Sequence, residues 1–470
     1  MSEIYESPLA GRYASEYLLK LFSSQNRSVI WRKLWTELAR AQHALGLPVT
    51  QEQVDELAAH QEDIDYAVIS AKEKEIRHDV MAHIYAYGEV APHAKGIIHL
   101  GATSCYVTDN ADLILYRDAL EYLRKEIGAV IGNLRTFAEE YKALPTLGYT
   151  HLQPAQLVTV GKRTCLWIQD LLTDLDEIDF VLSQLHFLGC RGTTGTEASF
   201  MELFQGDGAK IDEMNRQIAA AFDFDTIFPV CGQTYPRKLD SRILNVLSSV
   251  CQSAYKFAND LRLLQHLQQI EEPHETEQVG SSAMAYKRNP MRSERLCSLA
   301  RYVMVNALNA PLTASTQWFE RTLDDSANRR ITLPEGFLAT DAVLRLMRSI
   351  SGGLVVNKKI IARDVNQYLP FVATENLLMA SVEKGGDRQV SHEIIRKHSL
   401  LVADRMKEGE SCDLLSQLAN DPEFNLNQEE ISSALNPADF IGRSVEQTET
   451  FLASFAPGDF GLISADDIVL

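Results

Sequence analysis

Apolar residues recur along the middle of the chain at the spacing of long amphipathic helices. Residues 111–143 contain no proline, and residues 237–272 contain neither glycine nor proline. In the second run the apolar positions alternate in steps of four and three residues: Ile243, Leu247, Val250, Ala254, Phe257, Leu261 and Leu264. This narrow seam is typical of a long helix packed in a bundle. At about 1.5 Å per residue the helix would be on the order of 50 Å long, so we expect an extended bundle that also contacts other subunits.

Shorter helical patterns lie on both sides of this bundle. Those before it cover 28–45, 51–60 and 69–87. We find no convincing set of alternating strands, so the predicted fold class is all-α with three helical regions. The predicted domains are an N-terminal helical domain at 1–103, a central long-helix bundle at 104–356, and a C-terminal helical domain with a tail at 357–470.

The charge of the chain is strongly negative. Lys and Arg number 45 against 64 Asp and Glu, which gives a net charge of −19. This balance argues against nucleic acid or a membrane surface as a partner and predicts a cytoplasmic protein. The seven cysteines show no CxxC pair and no His/Cys metal spacing, which predicts reduced thiols and no metal site. We expect neither a secretory signal nor a membrane span.

One loop between predicted helices concentrates reactive side chains. Residues 279–290 read Val-Gly-Ser-Ser-Ala-Met-Ala-Tyr-Lys-Arg-Asn-Pro. A serine held close to a cation such as Lys287 can act as a base, although its unperturbed pKa lies far above 7. The alternative is a solvated Ser/Gly linker with surface cations, and the loop alone does not decide between the two.

Two other segments interrupt the helical pattern with polar groups. Thr103 and Ser104 precede the first long run, where they could cap a helix or help to bind an anion at its N-terminus. His151 lies just before Pro154 in Thr-His-Leu-Gln-Pro-Ala-Gln, residues 150–156. A single histidine at such a place is either a structural hydrogen-bonding group or an acid–base group.

Several cations lie near these segments in the sequence, although the protein is acidic. They are Arg12, Arg77, Lys287, Arg288, Arg292, Arg295, Arg321, Arg329 and Arg330. Ser326 and Arg330 are four residues apart and would share a helix face. Each arginine alone is compatible with a surface residue, whereas together they suggest a polyanionic substrate.

The three interrupting segments together resemble a known family. Residues 280–290 are similar to the signature loop of the fumarase/aspartase superfamily, and residues 99–104 and 150–156 resemble its two other signature segments, in the same order. Ala285 departs from the proline usual in the loop, which should make the loop more flexible. Further stretches resemble one branch of the superfamily that acts on purine nucleotides, at 7–13, 77–83, 192–196, 232–235 and 317–330. The resemblance covers about residues 5–455.

This resemblance implies a reaction and a set of groups. The expected reaction is β-elimination of fumarate from adenylosuccinate, giving AMP, and from the succinylcarboxamide ribotide of the purine pathway, without metal or organic cofactor. By resemblance, Ser281 is the base, His151 the general acid and His78 a second acid candidate. Lys287 would hold the developing carboxylate and help Ser281 to ionise, and Glu294 would orient His151.

The resemblance also implies a substrate-binding set and an assembly. The nucleotide and its phosphate would bind Arg12, Tyr13, Arg321, Ser326 and Arg330. The rest of the pocket would be formed by Arg77, Asp79, Thr103, Ser104, Gln233, Asn289 and Arg295. Because the signature segments lie far apart within one subunit of this superfamily, we expect a homotetramer with active sites shared between subunits.

Three other interpretations remain open. Another lyase of the superfamily, cleaving argininosuccinate or aspartate, would need no phosphate site, so the cluster Arg321, Ser326 and Arg330 argues against it. A structural relative without activity would have no physical reason to keep Ser281 and His151. A helical adaptor scaffold would not be stabilised by AMP, whereas an enzyme of this type would be.

Overall fold

The structure, a computed structural model, describes residues 4–275, 284, 286–433 and 435–461. The helices before the bundle are α1 (Glu16–Leu21), α2 (Ser24–Ala44), α3 (Gln51–Ala59), α4 (Tyr66–Ile76) and α5 (Asp79–Val90). The central helices are α6 (Ser104–Glu140), α7 (Val160–Ser183), α8 (Ala198–Leu203), α9 (Gly208–Ala221), α10 (Lys238–His266), α11 (Met291–Asn306), α12 (Asn309–Ser315) and α13 (Asp324–Ser351). The C-terminal helices are α14 (Lys358–Val372), α15 (Thr374–Glu383), α16 (Arg388–Lys407), α17 (Leu414–Ala419), α18 (Gln428–Ser433) and α19 (Ser444–Ala453). The predicted all-α class is confirmed.

Five long helices form the bundle: α6, α7, α10, α11 and α13. Gln233, just before α10, accepts a hydrogen bond from Cys105 at the start of α6, and Gln269, just after α10, donates one to Tyr149, beyond the end of α6. Therefore α6 and α10 run in the same direction. On α13, Asp325 lies near the start of α6 and Arg348 pairs with Glu126 farther along it, so α13 runs the same way.

The predicted seam of α10 is confirmed by its burial. Ile243, Leu247, Val250, Ala254, Phe257, Leu261 and Leu264 are all buried against the neighbouring helices. The central core they belong to continues into the N-terminal helices and into α14. A separate apolar core joins α15, α16, α17 and α18. The domain limits stay a proposal, since the central core crosses both of them.

Short strands also occur, which the sequence patterns did not predict. β1 (Pro145–Thr150) pairs antiparallel with β2 (Gln153–Thr159), and β3 (Ile270–Glu271) pairs with β4 (Val355–Val356). α7, which follows this hairpin, begins at Val160. Burial does not alternate regularly along either strand, so no period of two marks them in the sequence.

The helix predicted at 69–87 is broken in the middle. Arg77 ends α4 in the left-handed conformation, with φ 58°, and His78 begins α5 as its N-cap. The Nδ1 atom of His78 accepts a hydrogen bond from the backbone N–H of Met81 at 3.4 Å. This break places Arg77, His78 and Asp79 at a corner between two helices.

Within the described part of the chain, the helices are all too short or too polar to cross a bilayer. The seven cysteines are free thiols.

At Gly161 the backbone of α7 comes close to the end of α6. A Cβ atom at this position would lie 2.4 Å from the carbonyl oxygen of Ala138 and 2.5 Å from the Cα atom of Lys142. Both are backbone atoms, which cannot rotate away. We predict that Gly161→Ala lowers the free energy of unfolding by about 2 kcal/mol or more, measured as a lower midpoint of thermal unfolding.

Gly132→Ala is the matched control. Gly132 also lies inside a bundle helix, but a Cβ atom there would meet no atom within 4 Å. This variant should unfold at the same or a higher temperature, because alanine favours a helix by up to about 1 kcal/mol over glycine. Equal midpoints for the two variants would contradict the close approach.

Candidate active site

A buried ion pair network lies where α6, α10 and α13 begin. Arg237, at the N-cap of α10, donates to Asp109 of α6 at 2.9 Å and to Asp325 of α13 at 2.7 Å. The exposed fraction of all three side chains is 2% or less. Charges this deeply buried are tolerated only when paired, so the three helix starts are held in one relative position.

Arg329 extends the network across the next turn of α13. Its guanidinium pairs with Asp240 of α10 at 2.6 Å and with Asp112 of α6 at 3.1 Å. Burial opposes the ionisation of Asp112, but Arg27 and Arg329 together lower the pKa of its carboxyl. Arg329 is among the cations that suggest a polyanionic substrate in the sequence, but in the structure it binds two carboxylates of the protein.

The start of α6 presents polar groups next to this network. Thr103 occupies the N-cap position and Ser104 is the first helical residue. The hydroxyl of Thr103 makes no capping hydrogen bond to α6, as far as the described residues show. Gln233 lies beside this helix start, where its Oε1 accepts from the thiol of Cys105 at 3.4 Å and its Nε2 donates to the carbonyl of Thr193 at 3.1 Å.

Arg330 joins the corner between α4 and α5 to α13. Its Nη2 donates to Oδ2 of Asp79 at 2.9 Å across 251 residues of sequence. Burial alone would raise the pKa of Asp79, but the N–H of Val80 and the guanidinium of Arg330 outweigh it and lower that pKa. His78 is half exposed, and its Nδ1 lies 3.7 Å from Oδ1 of Asp79.

His99 connects this corner with the start of α6. Its Nδ1 accepts from the indole N–H of Trp35 at 2.9 Å, and it has a φ of 68°. Burial first, and then the nearby His78, lower the pKa of His99 to about 4, so its ring is neutral at pH 7. His99 lies only four residues before Thr103, so His78 and the helix start face the same region.

Arg321 and Ser326 complete the groups at this end of the bundle. Arg321 pairs with Oδ1 of Asp325 at 2.9 Å and retains an exposed fraction of 23%. Ser326 lies in the first turn of α13, one turn before Arg330, as the predicted shared face requires. We call the following residues the α6-start group: Arg77, His78, Asp79, Thr103, Ser104, Gln233, Arg321, Ser326 and Arg330.

His151 lies at the opposite end of the bundle. It occupies the turn between β1 and β2, with a φ of 52°, and its side chain is exposed. The Nε2 of Gln269 donates to the hydroxyl of Tyr149 at 3.3 Å, which ties this hairpin to the end of α10. A cavity of about 480 Å³ lies beside the hairpin, and Thr150 and Lys162 contribute to its wall.

The other predicted groups follow the end of α10. Lys287 is exposed and Asn289 half-buried, and Glu294 lies exposed in the first turn of α11. His151 is the predicted acid, and Glu294 is the carboxylate predicted to orient it. Within the described part of the chain, these two side chains share no hydrogen bond or ion pair. Ser281 and Ala285 lie outside the described residues, so the structure does not test their predicted roles.

Arg12, Tyr13 and Arg295 lie together. The guanidinium carbons of Arg12 and Arg295 lie 5.7 and 6.0 Å from the centre of the Tyr13 ring. These distances permit cation–π attraction, which brings the N-terminal segment onto α11. We call the following residues the α10-end group: Arg12, Tyr13, His151, Lys287, Asn289, Glu294 and Arg295.

The predicted site residues thus form two groups within one chain. α10 separates them, and its 29 residues make it about 43 Å long, which exceeds the length of a nucleotide. Motifs in the sequence point to the members of both groups but not to Asp109, Arg237 and Asp325, which hold the α6-start group in place. Their only signal in the sequence is a charged residue at the start of each long helix.

Comparisons with known proteins agree with this architecture. A family model described as lyase matches residues 21–305, more than half of the chain, and one described as adenylosuccinate lyase C-terminus matches residues 370–451. The fold is similar to that of 3-carboxy-cis,cis-muconate lactonizing enzyme from Pseudomonas putida, with a TM-score of 0.82, 22% identity, and coverage of 96% of this chain and 99% of that one. Fold and family model together define a lyase of the fumarase/aspartase type.

Two similar relatives show which family of these lyases the chain belongs to. The adenylosuccinate lyase of Schizosaccharomyces pombe (strain 972 / ATCC 24843) is 50% identical over 452 residues, which cover 95% of this chain and 94% of the relative. The adenylosuccinate lyase of Saccharomyces cerevisiae (strain ATCC 204508 / S288c) is 50% identical over the same shares of both chains. The chain belongs to the adenylosuccinate lyase family.

Asp325 provides a test of the buried network. Asp325→Asn keeps the size of the side chain but leaves Arg237 and Arg321 without the charge they share. We predict a loss of about 3 kcal/mol in the free energy of unfolding, measured from the urea midpoint. Asp324→Asn, one residue earlier and exposed, should cost about 1 kcal/mol or less. Equal losses in the two variants would refute a special role for the buried carboxylate.

Proposed function

We propose that this chain cleaves adenylosuccinate to AMP and fumarate, and the succinylcarboxamide ribotide SAICAR to AICAR and fumarate, in purine nucleotide synthesis. The observation that carries the proposal is the 50% identity to adenylosuccinate lyases over 95% of the chain. The expectation from the signature segments agrees with it.

The α6-start group contains side chains that can bind a nucleotide. Arg321 and Arg330 are cations in an otherwise acidic protein. Guanidinium groups form bidentate hydrogen bonds with phosphate and carboxylate. The first turn of α6 adds the positive end of the helix dipole, which favours an anion. As the family resemblance implies, we assign the nucleotide and its phosphate to Arg321, Ser326 and Arg330 together with Arg12 and Tyr13. Gln233 and Thr103 lie beside the first three.

The reaction is an elimination in which a proton, an electron pair and a nitrogen leaving group must all be placed. The base removes the proton from Cβ of the succinyl group, and the electron pair of that C–H bond moves toward the adjacent carboxylate. The C–N bond then breaks, fumarate forms, and an acid protonates the nitrogen. The intermediate of highest energy is the doubly charged aci-carboxylate, and fixed cations stabilise it.

We assign each step to a residue as the family resemblance implies. Ser281 is the base, and Lys287 and Asn289 hold the charged carboxylate. His151 is the general acid and Glu294 orients it, with His78 as the alternative acid. The exposure of His151 and Glu294 in one chain supports roles that need contact with a neighbouring subunit.

The separation of the two groups supports a shared site. A substrate bound at the α6-start group of one subunit lies about 43 Å from the His151 of the same subunit, the length of α10. Another subunit running in the opposite direction would bring its α10-end group to that place. We therefore propose a homotetramer in which each active site contains residues of more than one subunit.

Exposed apolar side chains support the association of subunits. Along α11 to α13 the exposed fractions are 67% for Val305, 70% for Leu312 and 57% for Ile331. Val305 and Ile331 line one depression of the surface, and exposed apolar side chains that cluster in this way are typical of an interface. We also propose a cytoplasmic location, supported by the negative charge and the reduced thiols.

The substrate assignment is tested by fumarate release. The purified protein should release fumarate from adenylosuccinate, followed by the absorbance of the products, at least about a hundredfold faster than from argininosuccinate, which carries no phosphate. Ser281→Ala, purified in the same way, should bind AMP and release no fumarate, and so it controls for a contaminating lyase. A preference for argininosuccinate would overturn the substrate, and normal turnover by Ser281→Ala would overturn the base.

The shared site is tested with hybrids of Ser281→Ala and His151→Ala. The two inactive variants, unfolded and refolded together in equal amounts, should regain activity in roughly a quarter of the sites, because some sites receive native Ser281 and native His151 from different chains. The double variant refolded with itself is the control and should stay inactive. Inactive hybrids of verified mixed composition would show that each site uses the serine and the histidine of one chain.

A further inference from the structure

The N-terminal segment that carries Arg12 and Tyr13 has an unusual backbone. Leu9–Tyr13 forms a single turn of π-helix, closed by the backbone N–H of Ala14 donating to the carbonyl of Leu9 at 2.9 Å. Such turns are rare and frequently lie at functional sites.

Two side chains of α13 hold the main chain on either side of Ala14. Oδ2 of Asp341 accepts from the backbone N–H of Ser15 at 2.5 Å, and Nη1 of Arg345 donates to the carbonyl of Tyr13 at 3.1 Å. Asp341 and Arg345 lie one helical turn apart and both are buried. Buried main-chain groups need such partners, so the two contacts fix the path of residues 13–15.

The same segment touches α11 through the ring of Tyr13. Arg295 faces the ring at 6.0 Å while Arg345 holds the carbonyl of the same residue. Tyr13 is thereby held from two helices, and Arg12, next to it, remains exposed. An exposed cation on a fixed main chain is suited to bind an anion at little cost in conformational entropy.

Asp341 lies among further charged and polar groups. Burial raises the pKa of its carboxyl to about 6, against the hydrogen bonds from Ser15 and the attraction of Arg345 and Arg348. From α6, Glu126 and Tyr122 face it. A buried carboxylate lowers the stability of the folded chain, whereas an apolar residue at the same position would not. Asp341 therefore has a role other than stabilising the fold.

We propose that Asp341 and Arg345 are positioning residues, which hold the main chain of Tyr13 and Ser15 so that Arg12 and Tyr13 are placed to bind the anionic part of the substrate. This inference rests on the proposed function, because it takes Arg12 and Tyr13 as substrate-binding groups. Neither α13 residue needs to touch the substrate. Its effect passes through two main-chain hydrogen bonds.

The test removes one of these hydrogen bonds without altering α13. Ser15 has a φ of −68° and Ala14 a ψ of 156°, both compatible with a proline at position 15. Ser15→Pro removes the N–H that donates to Asp341. Ser15→Ala keeps that N–H and removes the hydroxyl, which caps α1 by accepting from Leu18 and also hydrogen-bonds Asp341. It is therefore the matched control for the main-chain N–H alone.

Ser15→Pro should raise KM for adenylosuccinate by about three- to tenfold and change kcat less than about twofold, as expected for the loss of one buried hydrogen bond that orders a binding segment. Amide exchange of residues 9–14 in the ligand-free protein should become faster. Ser15→Ala should show neither effect. Equal changes in both variants, or unchanged exchange in Ser15→Pro, would overturn the proposal.

A second pair tests the other hydrogen bond even if Ser15→Pro does not fold. Arg345→Met should raise KM with little change in kcat, and Arg345→Lys, which can still donate to the Tyr13 carbonyl, should restore most of the affinity.

The readouts separate this inference from the proposed function. Faster amide exchange in Ser15→Pro with an unchanged KM would show that Arg12 and Tyr13 do not bind the substrate. That result would overturn the positioning role of Asp341 and Arg345. A native protein that releases no fumarate from adenylosuccinate would overturn the proposed function itself. The exchange of residues 9–14 would then still report whether Asp341 and Arg345 hold the segment.

Discussion

The placement of Arg237 between two buried carboxylates fixes the relative positions of the helices that form the bundle. Asp109 of α6 and Asp325 of α13 both bind its guanidinium, and all three side chains are removed from water. A shift of one helix by a single turn would leave a buried charge without a partner, at a cost of several kcal/mol. The contacts of α6, α10 and α13 are therefore set at their starts. The side chains of the α6-start group lie next to these fixed helix starts.

A second constraint is the length of the helices. Because α6 contains 37 residues and α10 contains 29, the polar segments that precede these helices lie far from those that follow them. The bundle separates two sets of reactive side chains, whereas a small globular fold would bring them together. A long bundle with exposed apolar faces gains from association with further copies. Both properties follow from the same uninterrupted helical runs.

Local patterns in the sequence were sufficient for the long helices but not for their interruptions. The run from 237 to 272 predicted one helix, and α10 occupies Lys238–His266. The break at Arg77 was missed because apolar spacing continues across it. The cap of His78 on α5 and the contact of Asp79 with Arg330 both stabilise the corner. The hairpin of β1 and β2 was missed because burial does not alternate regularly along either strand. The pairings of Arg237 and Arg329 could not be predicted, since a charge shows no partner in the sequence.

The sequence by itself determined which side chains can perform chemistry and which segments are helical, because motifs and apolar periodicity are local properties. It also determined the lyase family, through segments spread over nearly the whole chain. Only the tertiary structure decided which of these side chains are neighbours, as with Asp79 and Arg330 across 251 residues. It also decided that Asp341 and Arg345 hold the segment before α1. The physical reason is that the packing of helix on helix depends on buried area and paired charge, which belong to the folded chain as a whole.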